Sequence, residues 1–205
     1  MKKIFLPAVA ATALLFTACG GEEAPAEDTE TTEPEVVESV VATYNVDAAA
    51  STLEWKGTDT SDGHFHSGTV AISAGSVNTT DGVVDGGSAT VDLTSIAYVD
   101  GGATGDSVSQ GNLLGHISSA EIFNTAEMGT ATFTITGADE NGINGTLNVL
   151  GVDIAVTVPG APTVDETSLT HSTDWFSVDL SSASGFFAEG SNHTLDMKLN
   201  LTANQ

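Results

Sequence analysis

Residues 151–160, GVDIAVTVPG, decide the fold class. Val152, Ile154, Val156 and Val158 alternate with Asp153, Ala155 and Thr157. Successive strand residues face opposite sides, so this period describes a strand with one apolar and one wet face. The same pattern recurs outward in both directions. In ATFTITG (131–137), Phe133 and Ile135 alternate with threonines; in TLDMKLNLT (194–202), Leu195, Met197, Leu199 and Leu201 alternate with polar residues. In GSATVDLTSI (87–96), Ala89, Val91 and Leu93 do the same. Gly75, Asp81-Gly82 and Asn141-Gly142 punctuate these runs at hairpin spacing. The expectation is an all-β domain over 41–205: about eight antiparallel strands in a sandwich or closed barrel.

One segment departs from period two. SVSQGNLLGHISSAEIF (107–123) places Leu113, Leu114, Ile117 and Phe123 at near-helical spacing, weakened by Gly111 and Gly115. It reads as a short helical insertion covering one end of the barrel. An outer-membrane barrel would need outward apolar faces and aromatic girdles. The aromatics are few, so the apolar faces are expected to point inward.

The N-terminus is of another kind. MKKIFLPAVAATALLFTAC has a positive start at Lys2 and Lys3 and an apolar run from Ile4 to Phe16, too short to span a bilayer. Small residues then precede Cys19, the single cysteine. Residues 1–18 read as a lipoprotein signal peptide and Cys19 as the acylated (palmitate-type) attachment point. Phe16 stands where such signals usually carry leucine. Residues 19–40 follow as an acidic, Pro-containing, disordered tether. Glu22 and Glu23 resemble surface-export signals of some lipoproteins. The expected location is the cell envelope, anchored by lipid to the outer membrane on its periplasmic or outer face.

Charge bounds the partners. The chain has 28 acidic and 4 basic side chains, a net charge of −24, and no arginine. Loss of a leader carrying Lys2 and Lys3 takes this to −26 and leaves Lys56 and Lys198 as the fixed cations. Nucleic-acid binding requires clustered cations and is excluded on this count. Lipidation of Cys19 leaves no thiol for a disulfide, so stability must come from the core.

GHFHSGTV (63–70) puts His64 and His66 on one face of a strand and Phe65 on the other. Two imidazoles begin a metal site, but a full one takes three or four ligands. His116, His171 and His193 are distant in sequence, and no metal-type spacing is present. No metal or cofactor is expected. No G-x-S-x-G elbow is present, and the scattered Asp92, Asp100 and Asp174 read as solvated surface, so no enzymatic activity is expected.

Several pieces, in order, resemble the YceI-like family. They are YNVDAAASTLEWKG (44–57), GHFHSGTV, GVVDGGSATVDLTSIAYVD (82–100), LLGHISSAEIFNTAEMGTATFTITG (113–137) and GTLNVLGVDIAVTVP (145–159). The resemblance covers about 42–203. It implies a lipocalin-like antiparallel barrel around an apolar cavity that binds isoprenoid chains such as polyprenyl lipids or quinones. Three departures stand out: Glu121-Ile122-Phe123 where the family often has Asp-Phe-Phe, Gly129 where it often has Pro, and LTHSTDWFSVDL (169–180) without the family's Asp-Arg pair. A missing arginine removes the best ligand for a pyrophosphate head, so a neutral head is expected. Candidates for the cavity or its mouth are Trp55, His64, Phe65, His66, His116, Phe123, Phe133, Trp175, Phe186 and Phe187. The partners expected are a long-chain lipid ligand and the membrane through Cys19, with homodimer formation left open. The alternatives are a ligand-free interaction module whose barrel is filled by side chains and, third, a metal-dependent enzyme or metal carrier using the histidines.

Overall fold

The computed structural model describes residues 38–100 and 110–205. The leader (1–18), Cys19, most of the tether and Ser107–Ser109 of the helical segment lie outside the described residues.

Eleven strand segments and one helix follow in the order β1 (Val41–Val46), β2 (Thr52–Asp59), β3 (His64–Thr80), β4 (Val83–Asp100), α1 (Gln110–Ser118), β5 (Thr130–Asp139), β6 (Gly142–Val149), β7 (Val152–Pro159), β8 (Thr163–Val164), β9 (Ser168–Ser172), β10 (Phe176–Val178) and β11 (His193–Asn204). All their pairings are antiparallel. The main path runs β7-β6-β5-β4-β3-β1-β11-β9-β8. β1 and β2 share one lane, because both lie between β3 and β11. β9 and β10 likewise share a lane beside β11, pairing with its two halves. The expected eight strands are therefore eight lanes, two of them broken by turns, with β8 added beside β9. β7 comes against β10, which brings the two ends of the sheet together as a barrel.

The break between β1 and β2 is written in Asp47. Its Oδ1 accepts from the N–H groups of Ala49 (3.0 Å) and Ala50 (3.1 Å), and its carbonyl accepts from Ser51. This is the local side-chain-to-backbone bonding that favours turns over strand continuation. Asp81 (φ 52°) and Gly82 (φ 78°) form the expected two-residue loop between β3 and β4. Leu150 (φ 54°) and Gly151 (φ 75°) make the matching loop between β6 and β7, with leucine in a conformation its side chain disfavours.

Gly75 is not a turn. It lies inside β3 opposite Ala89, and a Cβ there would stand 2.6 Å from the Ser88 carbonyl oxygen. The glycine permits close crossing of two strands. β3 and β4, of 17 and 18 residues, bend through four register shifts along their shared ladder, as bulges allow.

Two apolar clusters divide the interior. Tyr44, Val77, Val84, Ile143, Leu169, Leu201 and Ala203 pack one end solid, and the Tyr44 hydroxyl donates to the Asp165 carbonyl at 2.8 Å. Trp55, Val70, Leu93, Ala131, Val149, Val178 and Leu195 wall the other end, where Ile117 of α1 joins them. The helical reading of 107–123 holds for Gln110–Ser118; Ser119 onward turns back through hydrogen bonds from Asn124 to Ser119 and from Phe123 to Ile117.

His171 on β9 is 2% exposed and belongs to the solid end, away from the other histidines' cavity. Burial pushes its pKa below the ordinary histidine value, and the nearby backbone at Ala161 and Pro159 offsets this in part. The unfolded chain then takes up a proton near pH 6.5 that the folded chain resists. Folding stability from this residue is fully present above that pH and is lost as pH falls below it. Denaturant titrations between pH 7.5 and 5 should show this loss, and His171→Phe should flatten it.

Candidate functional site

Register alone builds the site. His193 on β11 pairs directly with Asp59 on β2, and Asp59 pairs directly with His64 on β3. Directly opposed residues share a face, so the three side chains form a row across three strands. His66 follows two residues after His64 on the same face, opposite Gly57. His64 Nε2 and His66 Nε2 are 2.9 Å apart with ring centroids at 4.6 Å. His193 Nε2 stands 4.0 Å from Asp59 Oδ2. The hydroxyl and backbone N–H of Ser61 hold the Asp59 carboxyl below the usual carboxylate range, with His193 and His64 adding to the effect.

This row edges a cavity of about 600 Å³. Its walls are apolar: Leu53, Ile72, Val91, Leu93, Leu147 and Val156 are among the lining residues. The inward faces anticipated from period two are those observed. Phe133, Val156, Val158, Leu195, Met197 and Leu199 line the hollow, while Asp153, Ala155 and Thr157 are exposed. α1 contributes Asn112, Leu113, His116 and Ile117 and lies over the same end. The segment Gly185–Phe187, a single 3₁₀ turn, supplies Phe186 and Phe187. Phe186 stacks on His193 (centroids 4.0 Å) and meets His116 edge-on at 5.7 Å. Four of the five histidines thus border one apolar hollow.

Eight of the ten sequence candidates line this cavity: Trp55, His64, His66, His116, Phe123, Phe133, Phe186 and Phe187. Phe65 does not, because alternation turns it to the opposite face of β3. Trp175 does not either. It is 40% exposed and lies on the outer surface, with Lys56 Nζ 5.0 Å and Lys198 Nζ 6.0 Å from its ring. Its neighbour Phe176 points inward instead. Those lysines pair with Asp196 (3.1 Å) and Glu54 (3.4 Å). Neither lines the cavity, so its mouth carries no fixed cation among the described residues. His193 and Asp59 are not among the sequence candidates for the cavity; no local motif marks them, and only the strand register joins them to His64.

Among the described residues, no three His, Cys, Asp or Glu side chains are gathered closely enough to hold a metal ion. No helix there is long and apolar enough to cross a membrane. The Trp55 indole N–H is buried in the cavity wall with no acceptor among the described residues.

These features define an antiparallel barrel packed solid at one end and hollow at the other, the architecture of a small-molecule binding barrel. The YceI-like domain model matches residues 44–202, and the chain belongs to the YceI-like family. A solved structure with the same fold is that of Burkholderia cenocepacia BcnA. The two share a TM-score of 0.51 at 17% identity, over 78% of this chain and 99% of that one. No curated protein matches the chain.

Proposed function

We propose that the protein binds and carries an isoprenoid-type amphiphile with a neutral head, such as a quinone or polyprenol, at the cell envelope. The observation that carries this reading is the cavity: apolar throughout its walls, with its ionisable groups along one edge. The family is thought to bind lipid or polyisoprenoid ligands, which agrees with it.

The energetics set the ligand's size. Each buried CH₂ contributes about 0.8 kcal/mol, so a five-carbon isoprene unit contributes about 3–4 kcal/mol. Association costs roughly 4–15 kcal/mol in lost freedom. A tail of several units is required before binding is measurable. The cavity lies within the range of about 300–1,000 Å³ usual for small-molecule sites. With no arginine in the chain and both described lysines on the outer face, a diphosphate head finds no fixed countercharge.

The test is extraction. Protein exported in a host rich in quinones and polyprenols should yield a near-stoichiometric isoprenoid on solvent extraction and mass spectrometry. An empty extract, with no uptake of added quinone or polyprenol, overturns the reading in favour of an interaction module. Tighter binding of a polyprenyl diphosphate than of its alcohol overturns the neutral-head assignment.

The anchor belongs to the same proposal. Cys19→Ser should move the protein from the membrane pellet to the soluble fraction and abolish incorporation of an alkynyl palmitate analogue. Retention in the pellet with no labelling of the parent chain would remove the lipid anchor from the picture. Protease treatment of intact cells then reports which face of the outer membrane the domain occupies.

A further inference from the structure

We propose that His64 and His66 form a chelate for a divalent transition cation that accepts right-angled ligands, Cu²⁺ foremost and Ni²⁺ next, at the edge of the lipid cavity. The site is separate from tail binding and rests on the imidazole pair alone.

The geometry selects the metal class. The two Nε2 atoms are 2.9 Å apart, on residues two apart on one face of β3. Metal–imidazole bonds are about 2.0–2.1 Å long. Two such bonds at a right angle place their nitrogens about 2.9 Å apart; at the tetrahedral angle the separation is about 3.4 Å. The observed spacing fits cis positions of a square-planar or octahedral centre. It does not fit the tetrahedral arrangement that zinc prefers. The strand supplies this spacing without loop closure, because i and i+2 side chains stand parallel on the pleat.

The surroundings favour a cation. Asp59 is the direct cross-strand neighbour of His64 and places a carboxylate beside the pair. A chain with a net charge of −24 attracts metal ions over a longer range. The described residues hold no third side chain close enough to ligate with these two. A square-planar or octahedral cation takes more than two donors, so its remaining positions are filled by water, by an oxygen of whatever occupies the cavity mouth, or by a further group of the chain. Both imidazoles must present an unprotonated Nε2, so occupancy falls as the solution is acidified.

Titration of the metal-free, lipid-free protein with copper sulfate should show one equivalent bound more tightly than to the surface carboxylates. The electron paramagnetic resonance spectrum should carry the hyperfine pattern of two equatorial nitrogens. His64→Gln and His66→Gln should each weaken Cu²⁺ binding at least about tenfold and reduce the pattern to one nitrogen or none. His116→Gln and His193→Gln should leave both readouts in place. Circular dichroism and the thermal midpoint of each variant establish that loss of binding is not loss of fold. On the parent protein, Cu²⁺ should exceed Ni²⁺ and Ni²⁺ should exceed Zn²⁺.

Three results would overturn the proposal: an all-oxygen copper spectrum, copper binding unchanged in the doubly substituted protein, or zinc held more tightly than nickel. The 2.9 Å contact would then be a hydrogen bond between imidazoles. Failure of quinone or polyprenol uptake leaves these readouts untouched, so the two proposals fall separately.

Discussion

Gly68→Ala should lower the stability of the barrel by about 2–4 kcal/mol, although it adds a single methyl group. Gly68 lies on β3 between Trp55 of β2 and Tyr98 of β4. A Cβ built there overlaps the Ala97 carbonyl oxygen and falls 2.8 Å from its carbon and 2.9 Å from the Trp55 ring. The first two contacts are backbone, so no rotamer change relieves them. The ladder shifts register between Ser67 and Gly68, and this shift brings the Ala97 carbonyl against the glycine. Relief requires β3 and β4 to part where they wrap the cavity. For a domain of this size, about 1 kcal/mol corresponds to roughly 2–4 °C in thermal midpoint, so a fall of about 4–16 °C is expected. Gly57→Ala is the control. It lies one strand away, opposite His66, with nothing within 4 Å of an added Cβ. Its midpoint should move by a degree or two. Equal effects at the two positions would mean that backbone flexibility, not space at Gly68, governs the loss.

The contrast between these glycines separates what is legible in the sequence from what is not. Period-two alternation identifies strands and assigns each side chain to a face, and the inward faces of β5, β7 and β11 follow from it directly. It also places Phe65 opposite His64 and His66 without reference to strand pairing. Strict parity from Phe176 and Val178 turns Trp175 outward too, but the flanking Asp174 and Thr173 give no apolar alternation to anchor the count. Alternation does not give register. Gly68 resembles any strand glycine until Ala97 is known to approach it. Gly75 resembles a turn until Ala89 is known to face it. His193 and Asp59 are separated by more of the chain than any motif spans, and only pairing of β11 with β2 makes them neighbours. The eight expected strands emerge as lanes and not as segments, because turns at Asp47 and after Ser172 interrupt two lanes without ending them. Local chemistry makes strands; long-range pairing makes the site.

Ala131→Trp should reduce uptake of a long-tailed quinone or polyprenol by two to three orders of magnitude while leaving the barrel folded. Ala131 on β5 is 4% exposed, opposes Val91 of β4, and lines the cavity with it. A tryptophan there projects into the hollow and takes room that about one isoprene unit would use. Losing that unit removes about 3–4 kcal/mol of apolar burial, which is the stated change in affinity. In a solid core the same substitution would force off-rotamer side chains at a cost of about 1–3 kcal/mol. Here a hollow of about 600 Å³ receives the ring, so the stability cost should fall at or below the lower end of that range. Affinity and stability are therefore expected to separate, and that separation is what a filled barrel cannot reproduce. Ala155→Trp supplies the comparison, because Ala155 on β7 is exposed on the outer face and its substitution should change neither quantity. Isothermal titration with a short-chain and a long-chain quinone completes the argument. The short chain should lose less affinity than the long one, since it uses less of the cavity to begin with. Undiminished long-chain binding in the Ala131→Trp protein would place the tail elsewhere on the molecule. Equal losses for both chains would mean that the ring blocks entry and not occupancy.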